Sequence, residues 1–429
     1  MQSVSGSNGR LSLAMLCAAT LLAVAPGKAQ MAAAPPSFPF HDGDRVVFLG
    51  DSITEQKLYT TYLETYLLTR FPSWNLQFRN AGWGGDTSYL RTRGIPADQA
   101  LQRDVLDLKP TVVTIDFSMN DGGYGGFNQG LYDQHIHGER AIVKQLKDAG
   151  VLPIVLTVSG FEKNELGDPM QSYASTLEQF GAGDRKVAQD AGVPFADQFH
   201  GFMQAISRIR AIDPKGRISG DSVHPGQAGH LMMADLILTG LNAPPLVSSA
   251  SLDGRSGRTI KTEGCRITNM KMQAGKLTFS RQDDSLVFPI EPSARPILQV
   301  MPVVQDLDRY LLQISHLNPG DYTVSINGTA TATFSAEQLD LGVNLAYYDS
   351  PLTDQGRQIL SHVYSKNNTY FDLWRNVRLK DAPDKDAQIR TRSDQIAAEE
   401  HQINDLRHPL VYQFSVAPVV QLVAPAAAP

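Results

Sequence analysis

Four short blocks of the chain hold residue types that could do chemistry together. They are Gly50-Asp51-Ser52-Ile53, Asn80-Ala81-Gly82-Trp83-Gly84-Gly85-Asp86-Thr87-Ser88, Ser118-Met119-Asn120-Asp121 and Asp221-Ser222-Val223-His224-Pro225. Free serine is a weak nucleophile near neutrality and needs an adjacent base. A histidine three residues after an aspartate, with proline next, puts both on one tight turn. One ring nitrogen can then bond the carboxylate while the other faces Ser52. Gly84-Gly85 lets the backbone approach a substrate and aim an N–H at a developing oxyanion, and Asn120 adds a neutral donor. The chemistry these types fit is acyl transfer.

Each block also has a plainer reading. Ser52 and Thr54 are good helix caps. Asp221 can cap a helix that has Pro225 near its first turn, and Asn120-Asp121-Gly122 can be an ordinary turn. A lone His224 is more often structural. Taken singly, each plainer reading is favoured. Jointly, the blocks supply every role an esterase needs, and the catalytic reading prevails.

The elements that must position these blocks follow from patterning. Val46–Leu49, Leu76–Arg79, Thr111–Phe117, Leu152–Val158 and Val193–Asp197 read as strands. Glu55–Phe71, Gly138–Ala149, Ser172–Ala191 and Gly226–Leu241 read as helices. This alternation implies right-handed βαβ units and a parallel sheet covered on both faces. The first three blocks then emerge at the carboxyl edge, where open α/β sheets place ligands beside helix N-termini. The fourth lies on a loop before the final helix.

With these motifs in this order, the chain resembles the SGNH hydrolases, the GDSL-type esterase/lipase family, over about Arg45 to Leu241. The resemblance implies a flavodoxin-like three-layer α/β/α sandwich with a five-stranded parallel sheet. It implies Ser52 as nucleophile, His224 as general base and Asp221 as the residue orienting it. The implied oxyanion hole is the N–H of Ser52, the N–H of Gly85 and the side-chain amide of Asn120. No G-x-S-x-G nucleophile elbow is present, which argues against an α/β-hydrolase.

Composition bounds the rest. The 429 residues carry a formal charge of -6 without a dense Lys/Arg patch, which argues against a nucleic-acid partner. Residues 1–29 read as a secretory signal peptide, with Arg10, the apolar run Leu11–Val24 and small residues near Ala29. Residues 30–40 read as a flexible leader, 41–243 as the hydrolase domain and 250–429 as an accessory region. The mature chain is expected to be secreted or periplasmic, with no membrane span. Removing the signal takes Cys17 and leaves Cys265 alone, so no intrachain disulfide is expected. No cofactor or metal is expected. His135-Ile136-His137 reads as a solvated loop or helix start. Trp83, Tyr124 and Phe127 are candidates for a substrate lip, with Phe161 as a further wall residue. Asn327-Gly328-Thr329 and Asn367-Asn368-Thr369 are glycosylation sequons.

Beyond Asn242-Ala243-Pro244-Pro245 the pattern becomes a mixed β-plus-helix C-terminal domain. Gly275–Phe279, Tyr310–Ile314 and Tyr322–Ile326 read as strands, and the chain is helical again after Leu345. Ala387–Leu406 carries a thin stripe of Ile389, Ile396 and Ile403, so most of that helix faces water. Val416–Pro429 reads as a loose tail. Trp374 is either a sugar-stacking platform or a core anchor. The function expected is a secreted serine esterase for short acyl groups, acetyl first, on O-acetylated carbohydrate. The alternatives are a lipase or thioesterase, an acyltransferase with the same triad, and a non-catalytic glycan-binding protein.

Overall fold

The first apolar run becomes β1 (Arg45–Gly50), and its alternating side chains serve two different cores. Val46 and Phe48 enter one hydrophobic cluster, while Val47 and Leu49 enter another. A strand buried on both faces is what a covered parallel sheet requires. The computed structural model describes residues 37–91, 95–162 and 172–419, which belong to the compact unit Pro36–Pro429. The segment read as a signal peptide lies outside the described residues. The end of the expected leader is packed: Phe40 is buried and Phe38 stacks on Phe71 at 5.7 Å.

The chain continues through α1 (Ser52–Glu55), α2 (Leu58–Arg70), β2 (Gln77–Asn80), α3 (Ala97–Asp104) and β3 (Val112–Asp116). It then forms α4 (Gln129–Asp148), β4 (Leu152–Leu156), α5 (Tyr173–Ala191), β5 (Phe195–Ala196), α6 (Phe199–Ile212) and α7 (Gln227–Gly240). The five strands pair in the order β2-β1-β3-β4-β5, every pair parallel. The order reverses direction between β1 and β3, the switch point where this architecture opens a crevice. Helices α2 and α7 pack on one face, and α3 and α4 on the other. The expected α/β sandwich is the observed fold.

Two helix boundaries differ from expectation. Glu55–Phe71 is not continuous, because Lys57 adopts φ 64° and splits α1 from α2. Helix α4 begins at Gln129 rather than Gly138; Asn128 caps it by accepting from the Leu131 N–H at 3.1 Å. His135 and His137 therefore lie inside a helix, on different sides. His135 is buried and His137 exposed, so the solvated-loop reading fails for His135.

After α7 come β6 (Leu246–Asp253), β7 (Arg258–Glu263), β8 (Cys265–Gln273), β9 (Lys276–Asp283), α8 (Val303–Leu307) and β10 (Arg309–Ser315). Then follow β11 (Asp321–Ile326), β12 (Thr329–Ser335), α9 (Ala336–Leu341) and β13 (Val343–Asn344). The chain ends with α10 (Pro351–Asp372), a π-helical turn (Leu373–Arg378), α11 (Lys385–Leu406) and β14 (Val411–Pro418). A mixed sheet runs β13-β10-β6-β7 and an antiparallel one β12-β11-β14-β9-β8. The expected tail is thus partly wrong. Strand β14 is interior, paired with β11 and β9, and its alternate residues Tyr412, Phe414 and Val416 are buried.

Helix α10 docks on α2. Lys366 pairs with Glu64 within the core, and Asn367 donates to Thr61 and Glu64 at 3.0 and 3.1 Å. Burial of Asn367 removes the second sequon from the surface. Tyr370, Leu373, Trp374 and Val377 join the cluster that covers Val47 and Leu49, together with Ile396 of α11. Only Ile396 and Ile403 of α11 are buried, as the thin stripe implied.

Candidate active site

The serine is set by a turn with no room for side chains. A Cβ on Gly50 would meet Thr54 Oγ1 at 2.2 Å and the Asp116 carbonyl oxygen at 2.5 Å. Asp51 caps α1 by accepting the Ile53 N–H at 2.9 Å, which leaves Ser52 as the first helical residue. Ser52 Oγ lies 2.8 Å from His224 Nε2, and His224 Nδ1 lies 2.6 Å from Asp221 Oδ2. Asp221 Oδ1 also accepts the N–H groups of Val223 and His224 at 3.0 and 2.8 Å. Burial alone would raise the Asp221 carboxyl, but these bonds and His224 hold it down at about 2. Ionised Asp221 accepts a hydrogen bond from the Nδ1–H, and the Nε2 lone pair then faces the serine hydroxyl.

The turn before His224 is braced from behind. Ser222 sits at φ 77°, its carbonyl accepts the Glu162 N–H at 3.1 Å, and Glu162 Oε2 accepts from Ile218 and Ser219. Beside Ser52, His230 accepts the Tyr59 N–H on Nδ1 and donates from Nε2 to Gln56 Oε1 at 2.5 Å. Burial pushes His230 down to about 3, so it stays neutral and supports α1.

Trp83 to Asp86 form a turn closed by the Asp86 N–H on the Trp83 carbonyl at 3.1 Å, with Gly85 at φ +79°. That is the third position of a type II turn, where glycine is required. A Cβ on Gly84 would sit 3.7 Å from Ser52 Cβ, so this turn adjoins the serine. Among the described residues, no acceptor takes the Ser52 or Gly85 N–H. Asn120 Nδ2 reaches the Asp86 carbonyl at 3.0 Å and Asp51 Oδ2 at 3.4 Å, while its Oδ1 accepts Tyr124 OH at 2.7 Å. The Tyr124 bond fixes which way the amide faces. All five expected catalytic and oxyanion residues are thus assembled at the switch point.

Beneath them lies a store of buried acids. Burial, with Asp116 next in effect, raises the Asp51 carboxyl well above its ordinary value. Burial likewise raises Asp116 to about 7. His135 lies between two carboxylates, Nδ1 at 2.8 Å from Asp121 Oδ1 and Nε2 at 2.6 Å from Asp184 Oδ1. Burial opposes its charge, but Asp184 and Asp121 raise it far enough to hold both protons. Asp121 in turn accepts from the N–H and Oγ of Ser88 and the N–H of Ser118, which pins the loop carrying Asn120.

His135, Glu139 and Asp184 have donor atoms within 4.8 Å of one another, the arrangement closest to a metal centre among the described residues. With both ring nitrogens bound to carboxylates, the imidazolium has no lone pair for a metal. Glu139 is raised by burial to about 8. A neutral Glu139 and a doubly protonated ring held between the Asp121 and Asp184 carboxylates make an ion-pair cluster, not a ligand set.

The lip candidates separate. Tyr124 touches Asn120 and Trp83 borders Gly84, both partly exposed. Phe127 makes its ring contacts with Tyr132 and Phe180, away from the triad. Phe161 is fully buried against Tyr173 and belongs to the core, not to a wall. Trp374 is a core anchor, buried with Nε1 3.2 Å from Asp104 Oδ1. Sequence reasoning missed Glu55, which accepts the Gly84 N–H at 2.6 Å, and Arg375, which pairs with Glu55. No local pattern joins residues so far apart. Only the i+3 position of Glu55 after Ser52 was visible.

Residues 48–232 match the model of the GDSL-like Lipase/Acylhydrolase family, so the chain carries a domain of that family and is a carboxylic ester hydrolase. Among solved structures, BT4096, a gut microbial diltiazem-metabolizing enzyme, is 22% identical with a TM-score of 0.76 over 89% of this chain and 99% of that one. The shared fold therefore extends into the C-terminal half. Axe2, an acetylxylan esterase from Geobacillus stearothermophilus, is 23% identical with a TM-score of 0.39 over 47% of this chain and 94% of that one. No curated protein sequence matches the chain.

Proposed function

We propose that this ester hydrolase is an exported serine esterase that removes short acyl groups, acetyl first, from O-acylated carbohydrate. Ser52 Oγ attacks the ester carbonyl while His224 Nε2 takes its proton, and Asp221 stabilises the resulting imidazolium. The N–H groups of Ser52 and Gly85 and one amide hydrogen of Asn120 receive the oxyanion. The His224 proton then goes to the departing alcohol oxygen. Water, deprotonated by the same nitrogen, attacks the acyl-serine; the acyl–Oγ bond breaks, the proton returns from Nε2 to Ser52 Oγ, and the carboxylic acid leaves.

The continuous contact Ser52–His224–Asp221 carries this reading. Its exposure supports the substrate class. The His224 and Asp221 side chains are 34% and 57% exposed. A catalytic ledge open to solvent accepts a bulky alcohol and gives a long acyl chain little to bury against. Export rests on the apolar run Leu11–Val24, and no helix among the described residues is long and apolar enough to cross a membrane.

Hydrolysis of p-nitrophenyl esters of increasing chain length tests the acyl preference. Activity is expected to be greatest on the acetate and to fall steadily; an optimum at medium or long chains would contradict it. Acetate released from acetylated xylan without transfer to an added sugar supports hydrolysis, and transfer would replace it with acyl transfer.

A further inference from the structure

We propose that the C-terminal segment completes the esterase site: Arg375, acting through Glu55, holds the Gly84–Gly85 turn and is a positioning residue for the oxyanion hole. This rests on the reading of Ser52 as nucleophile. Arg375 lies in the π-helical turn Leu373–Arg378, a distortion that often marks functional positions. Its guanidinium pairs with Glu55 Oε1 and lies over the Trp83 ring, 3.1 Å from the centroid. Glu55 closes the short helix that Ser52 opens, and its other oxygen, Oε2, accepts the Gly84 N–H at 2.6 Å. Trp374 meets the same Trp83 ring edge-on at 5.6 Å. The first residue of the turn, Trp83, and the Gly84 amide that follows it are both held from the far end of the chain.

The need for such a brace follows from the glycines. The amide offered to the oxyanion is the central peptide of the turn, between Gly84 and Gly85. With no Cβ on either side, a flip of that peptide meets little steric resistance. Its orientation must come from hydrogen bonds on neighbouring peptides. The Glu55 carboxylate supplies one, and that carboxylate is itself 24% exposed. Pairing with Arg375, whose side chain is 13% exposed, keeps it turned toward Gly84 and away from water. Arg375 thus acts on the rate without contacting the reacting atoms.

The test uses the full chain and compares Arg375→Ala, Arg375→Lys, Glu55→Ala and the double Arg375→Ala/Glu55→Ala variant, with Ser52→Ala as control. Turnover of p-nitrophenyl acetate and thermal unfolding are measured for each. Misplacement of one oxyanion donor predicts a fall in kcat of roughly 10- to 100-fold for each alanine variant, with KM changed by less than about twofold. The double variant is expected to be no slower than the single ones, because the two residues form one path. Arg375→Lys keeps a cation on Glu55 and should recover most of the loss. Folded Arg375→Ala with wild-type kcat, or single losses that multiply in the double, would overturn the proposal. If Arg375→Ala does not fold, Glu55→Ala and Arg375→Lys decide it: wild-type kcat in Glu55→Ala overturns it. An active Ser52→Ala would instead defeat the esterase reading itself, whereas a dead Ser52→Ala beside an unimpaired Arg375→Ala defeats only this inference.

Discussion

Two histidines of this chain bond aspartates in opposite surroundings. His224 lies at the carboxyl edge of the sheet, partly exposed, with one nitrogen on Asp221 and the other on Ser52. His135 lies beneath the same edge with no exposure, and both of its nitrogens bond carboxylates. The residue types and distances are alike; what differs is whether one nitrogen is left to exchange a proton with a reacting group. His135 is locked as a cation that neutralises buried acids and steadies the Asn120 loop. His224 has a partner on only one side that could hold its proton permanently, so the other side can do chemistry.

Removing each histidine should therefore damage different properties. His224→Ala is expected to lower turnover of p-nitrophenyl acetate by roughly 10⁴-fold or more, with little change in unfolding. A folded His224→Ala variant of near-normal activity would erase the distinction. His135→Ala leaves Asp121 and Asp184 buried without their cation, and breaking such a cluster costs about 3–5 kcal/mol. Urea unfolding should show that loss, and an equally stable His135→Ala would mean the cluster is not charged as described.

The buried acids sharpen the comparison further, with a smaller effect. Burial raises Asp116 to about 7, against an unfolded value of about 3.9. Its Oδ1 takes a long 3.4 Å bond from Gln198, and Tyr59, Asp51 and Asp184 lie close enough to couple with it. For a raised carboxyl the folded state binds the proton more tightly, so its stabilising contribution is fully present below the unfolded value. It is lost as pH rises through about 7. Glu139 and Asp235, each raised by burial to about 8, act with the same sign. The melting temperature should fall between about pH 5 and pH 8, and Asp116→Asn should shrink that fall. An unchanged fall in the variant would remove Asp116 from the account.

Much of the candidate site was legible because it is built locally. Gly50-Asp51-Ser52, Gly84-Gly85, Asn120 and the Asp221/His224 pair each sit within a few residues of a strand or helix end, where composition signals the turn. The sheet was legible for the same reason, since β1, β3 and β4 are short runs rich in apolar residues. The interior was not. His135 looked like part of a solvated loop or a helix start, because its partners Asp121 and Asp184 come from other elements. Val416 looked like a tail, because strand pairing with β9 and β11 leaves no local trace in a Val/Ala/Pro segment. The pairs Lys366–Glu64 and Arg375–Glu55 span most of the chain and exist only once α10 docks on α2.

The proposed mechanism requires Ser52 to receive the acyl group. Treating the full chain with a fluorophosphonate and mapping the modified peptide by mass spectrometry tests it most directly. One adduct is expected, on Ser52, absent from Ser52→Ala and strongly slowed in His224→Ala. An adduct on another residue, or undiminished labelling of Ser52→Ala, would contradict it.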